Sequence, residues 1–286
     1  MSATPPAVTP PAIFDASVVA ARTARARARR ARRGPSFLLD RMLDDLADRI
    51  ADVNRTFGDM LLVAPDGAQA GLRERLPAER LPGRIDARPP DAHLSLGLQG
   101  AAYDLAVALV GPGQVDDLPG ALIEMRRALR PDGLLVAALF GADTLGELRA
   151  ALYADDEARR GGLTPRVHPT LDHTQAAQLL GRAGLALPVV DVDRVRVRYH
   201  SLSTLVDDLR DLGVTNALAA RDRGYLGRGA LERISARYPR EDGRHPATFE
   251  ILWLTGWAPH ESQQVPLRPG SAKMRLADAL GVRKEE

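Results

Sequence analysis

Two continuous apolar runs separated by one helix constrain the fold of this chain most. Asp104–Val110 is the first run and Leu134–Phe140 is the second. Apolar runs without polar alternation are typical of parallel strands that are covered on both faces of a sheet. A helix predicted at 117–129 and the turn Arg130–Gly133 connect the two runs. This order of elements predicts a right-handed parallel crossover and therefore an α/β protein.

A third short strand, Leu61–Ala64, runs into a turn with only one glycine, Gly67. In doubly wound α/β proteins the first such turn approaches a cofactor, and several glycines allow close contact with the backbone. Here Pro65 lacks an N–H donor, and residues 68–70 carry side chains. Two interpretations stay open: a reduced cofactor turn, or an ordinary connection between a strand and a helix.

Further elements follow from periodicity and capping residues. Helices are predicted at about 37–57, after Ser36 as N-cap, and from a capping box at Thr144–Glu147 to about 159. An N-terminus at Asp172 begins another helix that ends near Gly184, and two more are expected near 203–212 and 228–237. The remaining strand predictions are 189–192, 195–199 and 249–257.

Positive charge is concentrated near the N-terminus, although the 286 residues carry a net charge of only +2. Seven arginines fall between residues 22 and 33, namely Arg22, Arg25, Arg27, Arg29, Arg30, Arg32 and Arg33. We predict an arm at 1–35, disordered over 1–16 and a basic helix over 17–33. The helix either contacts an acidic surface or is simply solvated. No aromatic residues interleave with the arginines, so there is no specific nucleic-acid signal.

Several classes of site are excluded by composition. The chain has no cysteine, which excludes disulfides, thiolate nucleophiles and cysteine metal ligands. The six histidines show no metal-ligand spacing, so no metal site is predicted. No apolar run is long enough to span a bilayer, and no signal-peptide core is present. We therefore expect a bacterial cytoplasmic protein without a transmembrane segment.

Three segments together resemble a known family: 121–137, 141–149 with 162–167, and 255–272. They are similar to class I S-adenosylmethionine-dependent methyltransferases. Within that class they resemble the subfamily of the biotin-pathway malonyl-carrier-protein methyltransferase and the complex I assembly factor of methyltransferase fold, with the assembly-factor branch closer. The resemblance covers roughly residues 14–281.

The resemblance implies a Rossmann-like fold with a mostly parallel sheet and inserted cap helices. A methyltransferase-like domain is expected over 36–286. Its cofactor half covers about 58–142, and its substrate or cap half about 143–247. The last strand and C-terminal motif occupy 248–281.

The resemblance also implies S-adenosylmethionine as cofactor and a set of contacts for it. These candidates are Ala64, Asp66, Gly67, Asp86, Leu109, Gly111 and Gly113. The chain departs from the family at this side, because the turn has one glycine and Gly113-Gln114 stands where the family has His-Trp. Asp86 is placed as the ribose-binding acid by its position alone.

The substrate or partner side is implied in the same way. Its candidates are Thr144, Glu147, Arg149, Arg166, Tyr199, Asn216, Trp257, His260, Gln263 and Gln264. The segment 259–271 is expected to close over the cleft as a lid, and His168 is a neighbour of Arg166 in the same loop.

The expected function is that of an S-adenosylmethionine-dependent methyltransferase acting on a protein or carrier-bound substrate. No catalytic residue is assigned, because methyl transfer depends mainly on positioning. The alternative is a non-catalytic assembly factor for a respiratory complex, or, following the assembly-factor branch, an arginine hydroxylase. An open turn at 63–70 favours the first function, and a turn filled by side chains favours the alternative.

Overall fold

The computed structural model describes residues 12–34, 36–90, 100–110, 114–224 and 226–264. Within these ranges the α-helices are α1 (Ala16–Arg33), α2 (Phe37–Asp52), α3 (Ala68–Arg75), α4 (Leu118–Ala128), α5 (Gly146–Arg160), α6 (His173–Arg182), α7 (Leu202–Leu212) and α8 (Ala230–Arg237). The strands are β1 (Asp59–Val63), β2 (Arg84–Arg88), β3 (Tyr103–Leu109), β4 (Leu129–Phe140), β5 (Ala186–Tyr199) and β6 (His245–Trp257). No described helix has the length and apolar character needed to cross a membrane.

The strands form one sheet in the order β2-β1-β3-β4-β6-β5. β1, β2, β3 and β4 pair in parallel, whereas β6 pairs antiparallel with both β4 and β5. This mostly parallel arrangement confirms the predicted Rossmann-like fold. The carboxyl ends of β1 to β4 therefore share one edge of the sheet, and β6 ends at the opposite edge.

Both faces of the sheet are covered, which explains the continuous apolar strands. Met60 and Leu62 of β1 pack into a core with α2, while Leu61 and Val63 pack into a second core with α4 and α6. Because successive side chains of a strand point to opposite faces, a strand covered on both sides has no polar face.

The strands β4, β5 and β6 all begin several residues earlier than the sequence patterns predict. β5 is continuous over Ala186–Tyr199, because the partner strand β6 pairs with it along almost its whole length. β4 begins at Leu129, and the turn sequence lies inside it, since the Asp132 N–H donates to the Ala258 carbonyl at 3.1 Å. The local turn preference is kept as an irregularity within β4: Asp132 has φ +63°, and residues 129–134 of β4 lie opposite only 103–105 of β3.

The predicted N-terminal arm is docked over the described residues 12–34, with α1 as its helix, so the predicted disorder is wrong for residues 12–16. Asp15 caps α1, and α1 packs against α7. Phe14 and Val19 are buried with Ala217 and Leu218 in a small cluster of their own. The basic helix was predicted, but its attachment was not, because the few apolar side chains that carry it are small and form no helical stripe. Residues 1–11 lie outside the described residues.

Candidate functional site

A large cavity opens at the sheet edge where the parallel strands end. It has a volume of about 740 Å³ and lies between the end of β4 and the helices α5, α7 and α8. Phe140 at the end of β4 lines it together with Leu148 of α5, Leu209 of α7 and Ile234 of α8. These side chains make most of the wall apolar, and the inserted helices act as its cap.

Four predicted substrate-side residues meet at this cavity: Thr144, Arg149, Arg166 and Asn216. The Thr144 hydroxyl donates to the Glu250 carbonyl at 2.9 Å and accepts from the Glu250 N–H at 3.1 Å. Arg149 Nη2 donates to the carbonyls of Ala142 at 3.1 Å and Thr144 at 3.2 Å. The residue pair Thr144 and Arg149 is thus fixed by backbone groups of β6 and of the segment before α5.

The Arg166 side chain forms a nearly buried ion pair with Asp156 of α5. Its Nε donates to Asp156 Oδ2 at 2.8 Å, and Nη2 donates to Asp156 Oδ1. The carboxylate is 1% exposed and the guanidinium 11%. Hydrogen bonding to Arg166, then to Thr164, lowers the pKa of Asp156 to about 2. Asn216 Nδ2 holds the same loop by donating to the Pro165 carbonyl at 2.8 Å.

His168 is a cavity residue that the sequence pattern alone did not assign. Its Nε2 accepts from the Ala217 N–H at 3.1 Å, and its ring meets the Phe14 ring edge-on with centroids 5.0 Å apart. Burial, and then the charge of Arg22, lower the pKa of His168 to about 4. The imidazole is therefore neutral at pH 7, with its proton assigned to Nδ1 by the hydrogen bond at Nε2.

The expected cofactor turn follows β1 and leads into α3. Gly67 has φ +92° and precedes α3. Among the described residues, no side chain caps α3 and no atom lies within 4 Å of a Cβ placed at Gly67. The Asp66 carbonyl accepts from Arg30 Nε at 3.3 Å, and its carboxylate lies 3.7 Å from Arg27 Nε. The turn is thus open around Gly67, which favours the methyltransferase function, while side chains of α1 lie against Asp66, which favours the alternative.

Asp86 does not stand at the edge where a ribose-binding acid is expected. It pairs in register with Leu61, two residues before the end of β2, and the strand ends at Arg88 opposite Val63. Tyr103, at the start of β3, donates to Asp86 Oδ2 at 2.6 Å. Arg88 and Tyr103 both hold the pKa of Asp86 below its usual range. The Asp86 carboxylate is therefore already engaged away from the edge.

The remaining cofactor candidates carry no polar side chain that could bond to a cofactor. Ala64 is buried, and its N–H donates to the Arg88 carbonyl at 3.0 Å. Leu109 is fully buried in the core with α2. Gly111 and Gly113 lie outside the described residues.

Glu147 and Tyr199 do not line the cavity. Glu147 accepts from the Thr248 N–H at 3.2 Å and from the Thr248 hydroxyl at 2.6 Å, so the predicted capping box with Thr144 does not form. Both residues of that box bond to β6 instead. Tyr199 is 5% exposed, and its hydroxyl donates to Asp208 Oδ2 at 2.8 Å. Burial raises the pKa of both Tyr199 and Asp208.

The C-terminal motif lies at the opposite edge of the sheet. Trp257 pairs with Leu134 at the amino end of β4, and Gln263 Nε2 donates to Asp132 Oδ1 at 2.9 Å. The guanidinium of Arg55 lies 6.0 Å from the Trp257 ring centroid and also bonds to Asp132. The predicted lid is therefore wrong for residues 259–264, because the antiparallel β6 carries the chain away from the cavity.

Two other residues of that motif lie at the surface of the same edge. His260 Nδ1 and the Ser262 hydroxyl are 2.6 Å apart, and Gln264 is exposed. Residues 265–271 lie outside the described residues. Within the described ranges, no three His, Asp or Glu side chains gather as metal ligands would.

No family model matches the chain, but comparison with individual proteins shows its family. A zebrafish (Danio rerio) protein named arginine-hydroxylase NDUFAF5, mitochondrial, is 31% identical over 272 residues. The match covers 87% of this chain and 83% of that protein. The chain belongs to the NDUFAF5 family. This confirms the resemblance that the three motifs carry.

Other relatives are covered less completely. The chain spans 43% of the Dictyostelium discoideum protein of the same name, at 37% identity over 65% of this chain. The malonyl-(acyl-carrier protein) O-methyltransferase of Laribacter hongkongensis is 37% identical over 203 residues, 69% of this chain and 66% of that protein. The expectation of a bacterial cytoplasmic protein is wrong by these comparisons, because the zebrafish and D. discoideum members of the family are named as mitochondrial.

Solved structures are similar at a lower level. A Bacillus halodurans protein described as a methyltransferase has a TM-score of 0.49 at 13% identity, covering 76% of this chain and 99% of that chain. At that TM-score the likeness adds no argument about function, and the fold class follows from the sheet topology itself.

Proposed function

We propose that this protein uses its methyltransferase fold for binding. A side chain or short segment of a partner polypeptide is held in the apolar cavity. The observation that carries this proposal is the contrast between the two halves of the site. The cavity wall at Thr144, Arg149 and Arg166 is held by internal bonds. On the cofactor side, Asp86 is engaged elsewhere and β2 ends at Arg88.

The cavity has the size and chemistry of a binding site for part of a chain. A volume of about 740 Å³ lies within the usual range of ~300–1,000 Å³ for small-molecule sites and is far below that of a folded domain. The apolar wall offers burial, and Arg149, Arg166 and Asn216 place polar groups among it. One relative is named as an arginine hydroxylase and another as a malonyl-(acyl-carrier protein) O-methyltransferase. These names support a substrate carried on a protein.

A cross-linking experiment tests directly whether a partner occupies the cavity. Leu231 of α8 is 44% exposed and lines the cavity, whereas Leu187 of β5 is 47% exposed and does not line it. A benzoylphenylalanine at Leu231 is expected to cross-link one defined polypeptide from source-cell extract, identified by mass spectrometry. The matched probe at Leu187 is expected to give none. Equal cross-linking from both positions would contradict a partner in the cavity.

A second candidate function is S-adenosylmethionine binding at the turn after β1. The open position at Gly67 and the uncapped start of α3 fit the carboxylate of the methionine end. The described residues do not supply an edge acid for the ribose end, so the fit is partial. When bound, S-adenosylmethionine supplies an electrophilic methyl group.

Calorimetric titration with S-adenosylmethionine and its demethylated product tests this second function. We expect binding that Gly67→Val weakens at least tenfold, or about 1.4 kcal/mol. A β-branched residue is strained at φ +92° although no neighbour blocks its Cβ. Gly100→Val is the matched control, since Gly100 has φ +80° and equally open space but lies before β3. A cooperatively folded protein that binds neither ligand more tightly than about 1 mM rules the cofactor out.

A further inference from the structure

A cleft lined by arginines lies between α1 and α7. It has a volume of about 690 Å³, and its charged walls are Arg22, Arg25, Arg29 and Arg32 of α1 with Arg210 of α7. These five residues are called the arginine cleft below. The four on α1 are spaced by three, four and three positions, which places them on one face of the helix. At 1.5 Å per residue that stripe is about 15 Å long.

The positive charge of the arginine cleft is only partly neutralised. Arg29 bonds to Asp211 and lies 3.0 Å from Asp207, and Arg210 lies 3.3 Å from the same Asp207. Arg25 and Arg32 are exposed and have no partner among the described residues. Two acids therefore face five arginines, and the cleft as a whole attracts anions.

The arginine cleft adjoins the apolar cavity. The residues that line both the cleft and the cavity are Val206, Arg210, Thr215, Asn216 and Leu226. The Arg22 guanidinium donates to the Thr215 hydroxyl at this shared wall. Burial, followed by the charges of Arg221 and Arg25, lowers the pKa of Arg22, so this end of the cleft also favours a negative group. A chain lying in the cleft therefore reaches the mouth of the cavity.

We propose that the arginine cleft binds an acidic segment of the partner polypeptide and so delivers the adjoining side chain to the apolar cavity. This inference rests on the proposed partner-binding function and names the chemistry of the partner. A stripe of about 15 Å matches four to five residues of extended chain, at roughly 3.3 Å each, and exceeds what one phosphate needs. No aromatic side chain lines the cleft among the described residues, so it lacks the stacking platform of a single-stranded nucleic-acid site.

Fluorescence anisotropy with defined probes tests the arginine cleft. The probe is a labelled peptide with a run of about five glutamates followed by leucine, matching the length of the stripe. We expect it to bind the wild-type chain at low salt, and we expect the double variant Arg25→Glu with Arg32→Glu to lose about tenfold or more in affinity. Both side chains are exposed and have no partner in the part of the chain that the structure describes, so the melting temperature is expected to stay unchanged.

Matched controls separate the cleft from general charge. Arg127→Glu with Arg182→Glu makes the same charge change on the exposed surface of α4 and α6, across the sheet, and is expected to bind the peptide like wild type. A peptide with glutamine in place of glutamate is expected not to bind. Equal losses in both double variants, equal binding of the glutamine peptide, or no binding of the acidic peptide overturns the proposal.

Two further outcomes show which of the two proposals, the partner-binding function or the arginine cleft, has failed. The first outcome is an RNA oligonucleotide of similar length that binds as tightly as the acidic peptide and whose binding is lost in the same double variant. That result shows a general polyanion site and also overturns the proposal. A persisting cross-link at Leu231 without acidic-peptide binding leaves the partner-binding function standing and removes the arginine cleft from it. Absence of a cross-link from the Leu231 probe in a chain with no other substitution removes the proposed function itself.

Discussion

Asp156→Ala is expected to lower the free energy of unfolding by about 3–5 kcal/mol. Asp156 is 1% exposed and bonds to Arg166 and Thr164, so its removal leaves the guanidinium buried without its counter-charge. Asp156 ties Arg166 to α5, and the loop segment 166–170 forms one wall of the cavity. Urea unfolding followed by circular dichroism measures the loss.

Two variants decide whether the lost ion pair is the cause. Glu157→Ala removes the neighbouring acid, which is exposed, and is expected to change stability by less than about 0.5 kcal/mol. Asp156→Leu combined with Arg166→Met removes both charges and is expected to recover much of the loss. A loss below about 1 kcal/mol for Asp156→Ala would contradict a tightly coupled pair.

The same pair has a defined pH window. Because the pKa of Asp156 is lowered to about 2 in the folded chain, the unfolded chain binds the proton more readily. The stabilisation is fully present above the ordinary carboxyl pKa of 3.8 and is lost as the pH falls towards 2.

His168 is expected to make the protein less stable as the pH falls from 6.5 to about 4, by about 3 kcal/mol in total. The folded pKa of about 4 lies below the ordinary value of 6.5, so the unfolded chain gains the proton first. Stability from the neutral ring is fully present above 6.5 and declines through this window. Thermal melts at closely spaced pH values measure it.

Substitution of the ring separates this effect from other titrations. His168→Gln keeps an acceptor for the Ala217 N–H without a group that titrates, and is expected to flatten the decline. The decline does not vanish, because burial also lowers the pKa of His245. His173→Gln changes an exposed histidine and is expected to keep the full decline. An unchanged slope in His168→Gln would show that another group carries it.

The sequence predicted best those elements whose cause is local. Ser36 caps α2 by accepting from the Leu39 N–H at 3.2 Å, as its position before an amphipathic helix indicates. Asp172 begins α6 as predicted, and its side chain forms a capping box with Gln175. The apolar runs of β3 and β4 became parallel strands of one sheet. Each of these depends on neighbours within a few positions.

Predictions failed where a distant strand changed the outcome. The same capping-box spacing at Thr144 and Glu147 did not cap α5, because both side chains bond to β6 about 100 positions later. The C-terminal motif was expected over the cleft, and the direction of β6 placed its described part at the far edge. His168 gained its burial from Phe14 and Ala217, which no local pattern connects to it.

The sequence by itself determined the α/β class and most helices and strands through periodicity, whereas α3 and β2 were not predicted. Family motifs predicted a substrate side, of which Thr144, Arg149, Arg166 and Asn216 line the cavity. Only the tertiary structure decided which edge each candidate occupies and which charges stay unpaired in the arginine cleft. The physical reason is the range of the interactions involved. Helical and strand periodicity arises from backbone geometry within one element, whereas Arg30 finds the Asp211 carbonyl across 181 positions. Such contacts exist only once the sheet and its helices have packed.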